Sequence, residues 1–99
     1  MVFRLSSNLP RSEDYGLTSQ IRRSTNSVCA NIAEAFGRDS RKDKRIFYII
    51  ARGSAFETQS HLLYGNTVGY FDDKSVKELH HLYKELIFEL NKIIQTFTR

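Results

Sequence analysis

At 99 residues the chain is one domain at most, and no apolar run approaches the ~20 residues that a membrane-spanning helix needs. Fifteen Lys and Arg against eleven Asp and Glu give a net charge of +4 and a pI near 9.4, which permits contact with nucleic acid or another polyanion without requiring it. The single cysteine, Cys29, excludes an internal disulfide and a cysteine zinc cluster, and on a helix of small residues it reads as packing filler.

Met1 to Ser7 carries Val2, Phe3 and Leu5, too few residues for a helix that is stable alone. The segment to Pro10 reads as the remnant of a first helix, ended by the proline. It lacks the long apolar core and small-residue cleavage site of a signal peptide, so cytoplasm is the expected compartment. Arg11 to Asp14 forms a polar turn with acids placed where the next helix begins.

That helix, 14–36, places Leu17, Ile21, Ser24, Val28, Ile32 and Ala35 at steps of three and four. Its middle is lean in bulk, with Ser24, Ser27, Ala30, Asn31 and Ala33, so a neighbour can approach closely and the helix reads as the central one. Gly37 closes it, in the left-handed conformation that glycine adopts at helix ends. Ser40 followed by Asp43 is an N-cap signature for the next helix, 41–66. Ile46, Ile49, Gly53, Phe56, Ser60, Leu63 and Thr67 form its three-four repeat, widened by Phe47 and Ile50. Gly53 in mid-helix costs about 1 kcal/mol against alanine, and close contact with the small face around Ser27 and Asn31 is the expected compensation. After a glycine-containing loop, Asp72 or Asp73 caps a last helix over 73–96, whose stripe is Val76, Leu79, Leu82, Tyr83, Leu86, Leu90, Ile93 and Phe97.

No strand alternation, repeat or low-complexity segment is present. The class is all-α: an antiparallel up-down four-helix bundle whose first helix is largely truncated, leaving three long helices and an N-terminal stub in a single domain, 1–99. One side of such a bundle is open unless another subunit covers it. A chain this short buries only about two-thirds of its unfolded surface, so oligomerisation is a natural supplement.

The chemistry is sparse. Glu78 and His81 have the Glu-x-x-His spacing of dimetal bundles, but such a centre needs a second motif and two further inward glutamates, and Glu57 and His61 are four apart. His80 and His81 point about 100° apart on a helix. Neither a base beside Cys29 nor a glycine-rich phosphate loop is indicated. The expectation is a protein with no catalytic residues, no metal and no cofactor.

Arg38, Arg41, Lys42, Lys44 and Arg45 put five cations within eight positions around a helix N-terminus, whose amides also favour phosphate. Arg22 and Arg23 lie one helix away, and Arg52 lies two turns beyond Arg45 on nearly the same face. A phosphate-binding surface and a solubilising loop both fit this pattern. Asn31, Glu34, Ser54 and Glu57 fall at matching depth on two helices; they read as an interhelical hydrogen-bond network, with Arg23 or Arg52 as partner to a carboxylate, and alternatively as the polar lining of a ligand pocket.

The runs Tyr15-Gly16-Leu17-Thr18-Ser19-Gln20-Ile21-Arg22-Arg23 and Asn31-Ile32-Ala33-Glu34-Ala35-Phe36-Gly37-Arg38, with Ala51-Arg52-Gly53-Ser54 and Glu57, resemble the four-helix bundle proteins named for 23S rRNA intervening sequences. The likeness spans about residues 8 to 97 and is similar also to the accessory variability protein of diversity-generating retroelements. It implies an up-down bundle assembled as a ring-shaped homopentamer with a basic surface, and in the retroelement relatives association with a reverse transcriptase and nucleic acid. Two features depart from the pattern. Most of the long first helix is missing, through an incomplete bundle or a start codon placed too late, and Ala35 replaces a usual glycine.

Two functions follow. The first is oligomeric binding of RNA or DNA, insensitive to sequence, by Arg22, Arg23, Arg38, Arg41, Lys42, Arg45 and Arg52. The alternative is a structural adaptor that docks a protein, such as a reverse-transcriptase-like partner, in an open apolar groove.

Overall fold

The computed structural model describes residues 2–13 and 16–98. Its elements are α1 (Val2–Ser7), a 3₁₀ turn (Arg11–Glu13), α2 (Leu17–Gly37), α3 (Arg41–Thr67) and α4 (Asp73–Thr96). The helices alternate in direction and form an elongated all-α bundle, 45 Å in its longest Cα dimension and 16 Å in its shortest. The expected start of the second helix at Asp14, and Tyr15, lie outside the described residues.

Each long helix begins at a group that satisfies its first amides. Ser40 Oγ accepts from the Asp43 amide at 3.1 Å, and Asp72 Oδ2 from the Ser75 amide at 2.9 Å. At α2 the Glu13 carboxylate does this from four residues upstream, accepting from the Leu17 amide at 3.2 Å, while its other oxygen takes the Tyr70 hydroxyl at 3.0 Å. That bond to a carboxylate is the main reason the Tyr70 phenol titrates above its ordinary value.

The end of α2 differs from expectation. Gly37 is the last helical residue, Arg38 is extended, and the described glycine with positive φ is Gly69, at 83°. No left-handed glycine is needed because Lys44 reaches back from α3 and donates to the carbonyls of Ala35 (3.0 Å) and Phe36 (3.3 Å).

The core-facing stripe of α2 is the one its spacing predicts: Leu17, Ile21, Ser24, Val28 and Ala35 are buried and Ile32 half-buried, although Ala30 and Ala33 face solvent. For α3 the predicted stripe is the wrong face. Ile46, Ile50, Phe56 and Leu63 are between 43% and 53% exposed, and Gly53, Ser60 and Thr67 are exposed as well. The buried face is Tyr48, Ala51, Ser54, Ala55, Thr58, Gln59, Leu62 and Gly65. Small residues on α2 admit a close neighbour only when the neighbour also presents small residues, so Ala51, Ser54 and Ala55 outcompete the bulkier isoleucines. Gly53 meets nothing within 4 Å of a built Cβ, so the expected close approach is made by Ser54 next to it. Helix α3 is therefore the central one, carrying α2 on one flank and α4 on the other. On α4, Ile87 and Ile94 are buried while Leu82 is exposed, a small rotation from the predicted stripe.

The core has three layers. At one end Val2, Leu17, Ile21, Leu62, Phe71, Val76 and Leu79 cluster; Val28, Ala55 and Ile87 fill the middle; Ala35, Tyr48, Ala51, Leu90 and Ile94 fill the other end. Helix α1 covers the first layer alone. It is fastened to α2 by Arg22, which donates to Ser6 Oγ (2.9 Å) and Ser7 Oγ (3.2 Å) and lies over the Phe3 ring at 4.1 Å. Tyr83 is half-buried where α4 faces this layer, and desolvation pushes its phenol above the ordinary value. Cys29 is exposed rather than packing filler, beside a shallow hollow lined by Val2, Phe3, Arg22, Thr25 and Asn26.

Two predictions test this architecture. A Cβ on Gly65 would stand 2.3 Å from carbons of the buried Phe71 ring, whose amide and that of Tyr70 both donate to the Gly65 carbonyl. Gly65→Ala should therefore destabilise by about 1–3 kcal/mol, seen as a lower urea midpoint at unchanged m-value. The Asp72 carboxyl is held below its ordinary value by the Ser75 amide first and the Ser75 hydroxyl second. Its charge-dependent contribution is complete above about pH 4 and disappears as pH falls through the lower folded value. Wild type should exceed Asp72→Asn in stability at neutral pH, and urea titrations of the two should converge in strong acid.

Candidate nucleic-acid interface

The polar side chains between α2 and α3 form a lock. The hydroxyls of Ser24 and Thr58 meet at 2.8 Å, each also within reach of a carbonyl one turn back, Ile21 at 3.1 Å and Ser54 at 3.0 Å. Ser27 and Ser54 meet at 2.8 Å, and the Asn31 amide donates to Ser27 Oγ at 3.0 Å and to its carbonyl at 2.8 Å. Glu57 accepts from Arg23 across the helices and lies 3.0 Å from His61 Nε2. Asn31, Ser54 and Glu57 thus sit along one contact. Glu34 does not join them: it is exposed and pairs with Arg38 on its own helix at 3.1 Å. Ser24, Ser27 and Thr58 complete the lock; their hydroxyls were legible only as small volume until the facing side chains were known.

The seven cations picked from the sequence divide. Arg22 ties α1 to α2, and Arg23 bonds Glu57 and Gln20. Arg38 pairs with Glu34 and lies over Phe47 at 4.6 Å. These three are spread over the α1–α2–α3 side and do not converge.

The other four point along the α3–α4 seam. Arg41 donates to the Thr96 carbonyl and lies 5.1 Å from the Phe97 ring centre. Arg45 Nε donates to Thr98 Oγ1 at 3.3 Å, and Arg52 Nη1 to Asn91 Oδ1 at 2.8 Å. Arg41, Lys42 and Arg45 surround a depression of about 550 Å³ with Phe97 and Thr98. The guanidinium groups of Arg45 and Arg52 carry five N–H donors each, so the one bond given above leaves each with capacity for an anion.

Farther along the seam the Gln59 side chain donates to the His80 carbonyl at 3.2 Å. There Leu63 and Asn66 of α3 and Lys77, His80, His81 and Lys84 of α4 line a groove of about 410 Å³. Its one carboxylate, Asp73, accepts from Asn66 at 2.7 Å. On α4, Glu85 lies 3.0 Å from His81 and Glu89 pairs with Lys92 at 3.3 Å. The seam is basic by excess of cations: Arg41, Lys42, Arg45, Arg52, Lys77 and Lys84 outnumber Asp73 and Glu85.

Lys77 and Lys84 were missed in the sequence. Their signal was a seven-residue spacing equal to that of Arg45 and Arg52, which acquires meaning only once α3 and α4 are known to be neighbours. Among the described residues no group of three or more His, Cys, Asp or Glu is placed to hold a metal ion, and no helix is long and apolar enough to cross a membrane. Glu78 and His81 make no such group: His81 is committed to Glu85.

An antiparallel all-α bundle with a basic seam is the class that fold and site define. The chain belongs to the 23S rRNA-intervening sequence protein family, whose sequence model matches residues 1–92. It is similar to a solved structure of a protein of unknown function from the S23 ribosomal protein family of Bacteroides thetaiotaomicron, with a TM-score of 0.83 and 27% identity, over 93% of this chain and 83% of that one. No curated protein matches the chain.

Proposed function

We propose that the chain is a non-enzymatic, oligomeric helical-bundle protein that binds RNA or another nucleic acid through its α3–α4 face, without strong sequence preference. One observation carries the reading: Arg41, Lys42, Arg45 and Arg52 of α3 share a seam with Lys77 and Lys84 of α4, and these cations outnumber the acids beside it, Asp73 and Glu85. Cations along a helix pair give phosphate contacts, which are sequence-blind and release counterions. Membership of a family named for an rRNA element agrees with this reading.

A second observation supports self-association. Ile46, Ile50 and Tyr64 leave 43% to 52% of their surface exposed along the back of α3, on the side of the side-chain-free Gly53. Isolated exposed apolar residues are ordinary, but several on one side of a single helix support an interface. The occupant proposed is another copy of the chain, in the five-membered ring that the family resemblance implies; a reverse-transcriptase-like protein is the alternative occupant.

Anisotropy of a labelled structured RNA across a salt series tests the first reading. The slope of log affinity against log salt should shrink by about one unit for each of Arg45→Gln, Arg52→Gln and Lys84→Gln, and stay unchanged for Arg22→Gln, Arg23→Gln and Arg38→Gln. Equal effects from the two sets would remove the seam from the argument. For the stripe, Ile46→Glu with Ile50→Glu should reduce the particle to monomers in light scattering while the helical circular dichroism persists; an unchanged mass would sink the interface.

A further inference from the structure

Resting on the nucleic-acid reading, we infer that the α3–α4 face takes a single strand, with unpaired bases stacked on Phe56 and Phe88. The two helices carry the same pattern on this face: Arg45, Arg52 and Phe56 on α3, and Lys77, Lys84 and Phe88 on α4, each a cation, a second cation seven residues on and a phenylalanine four beyond that. On a helix these spacings fall on one side, within about 40° of one another. Because α3 and α4 are antiparallel, the patterns run toward each other. The Arg52–Asn91 and Gln59–His80 bonds fix the register so that Phe56 and Phe88 lie at nearly the same height. Two rings thus occupy the middle of the face, with Arg45 and Arg52 toward one end and Lys84 and Lys77 toward the other. By helical rise the row spans about 28 Å, a length suited to a short run of nucleotides.

The rings carry the argument beyond phosphate binding. Phe56 is 53% and Phe88 62% exposed, and neither joins a core layer. Lys92 rests 5.1 Å from the Phe88 ring centre, yet most of that ring remains open. A duplex keeps its bases stacked inside and would present only sugar and phosphate to these rings. An unpaired strand offers a π-face at every base, and the combination of a cationic track with aromatic platforms is the chemistry that binds it without reading sequence. Lys84 and Lys92 lie beside Phe88 together with Glu85 and Glu89, while Arg52 precedes Phe56 by one turn, so the excess of cations along the row favours a polyanion with flat apolar faces.

The test compares a labelled uridine dodecamer with an RNA duplex of equal length at one salt concentration. Wild type should bind the single strand about tenfold or more tightly than the duplex. Phe56→Ala with Phe88→Ala should remove that preference while leaving the salt slope intact, whereas Arg52→Gln with Lys84→Gln should lower the slope for both RNAs. The chain contains no tryptophan, so Phe88→Trp places a single indole on the face, excited selectively beside the five tyrosines. Its emission should be quenched as the dodecamer saturates. Equal affinity for both RNAs, or saturation in anisotropy with no quenching, would overturn the single-strand inference and leave the polyanion reading standing. Absence of binding to either RNA at low salt by folded protein would overturn both.

Discussion

The close, hydroxyl-lined contact of α2 with α3 is the constraint on which the rest of this bundle depends. Ser24 with Thr58, and Ser27 with Ser54, pair at 2.8 Å in the middle of a contact that also buries the small residues Ala35, Ala51 and Ala55. Such a contact contributes little hydrophobic area. It works because the hydroxyls of Ser24, Ser27, Ser54 and Thr58 each find a partner in place of water, and because an unpaired buried hydroxyl would cost more than the bond returns. Shifting α3 by one turn would separate both pairs and break the Arg23–Glu57 ion pair with them, so the lock fixes register as well as distance.

A lean inner face on α3 has a consequence on the outside. The helix still carries Ile46, Ile50, Phe56, Leu63 and Tyr64, and with the inner face reserved for small residues these lie outward. The surface thereby acquires apolar material. Bulk for the core comes instead from the ends and from α4, through Ile21, Leu62, Phe71, Leu79, Leu90 and Ile94. The close inner packing and the apolar outer face are two results of one allocation of residues along α3.

The basic residues show a similar double use. Arg41 and Arg45 meet the last turn of α4, where the carbonyls carry the negative end of the helix dipole, and Arg52 clamps Asn91 across the seam. These bonds hold the guanidinium groups in place on the surface instead of leaving them to sample solvent. An anion arriving at the seam meets donors whose side-chain freedom is already reduced, which lowers the entropic cost of each contact. The cations that serve purely internal purposes, Arg22 and Lys44, are the ones placed at the stub and at the end of α2.

The sequence alone determined the helical class, the caps at Ser40 and Asp72, and the buried stripe of α2, because these rest on local periodicity and on side chains within one turn. It also marked Asn31, Glu34, Ser54 and Glu57 as lying at one depth, with Arg23 or Arg52 as partner to a carboxylate; the tertiary structure leaves Glu34 outside and gives Glu57 to Arg23. Which face of α3 turns inward was a tertiary decision. Periodicity offers two stripes on that helix, and bulk favours the one with isoleucines; only the small surface of α2, seen as a docking partner, selects the other. The end of α2 was decided the same way, by Lys44 arriving from the next helix where the chain suggested a glycine. The basic face belongs to the tertiary structure too: Lys77 and Lys84 lie at least 25 positions beyond Arg52 in the chain, and only the antiparallel packing of α4 on α3 puts their charges on one seam.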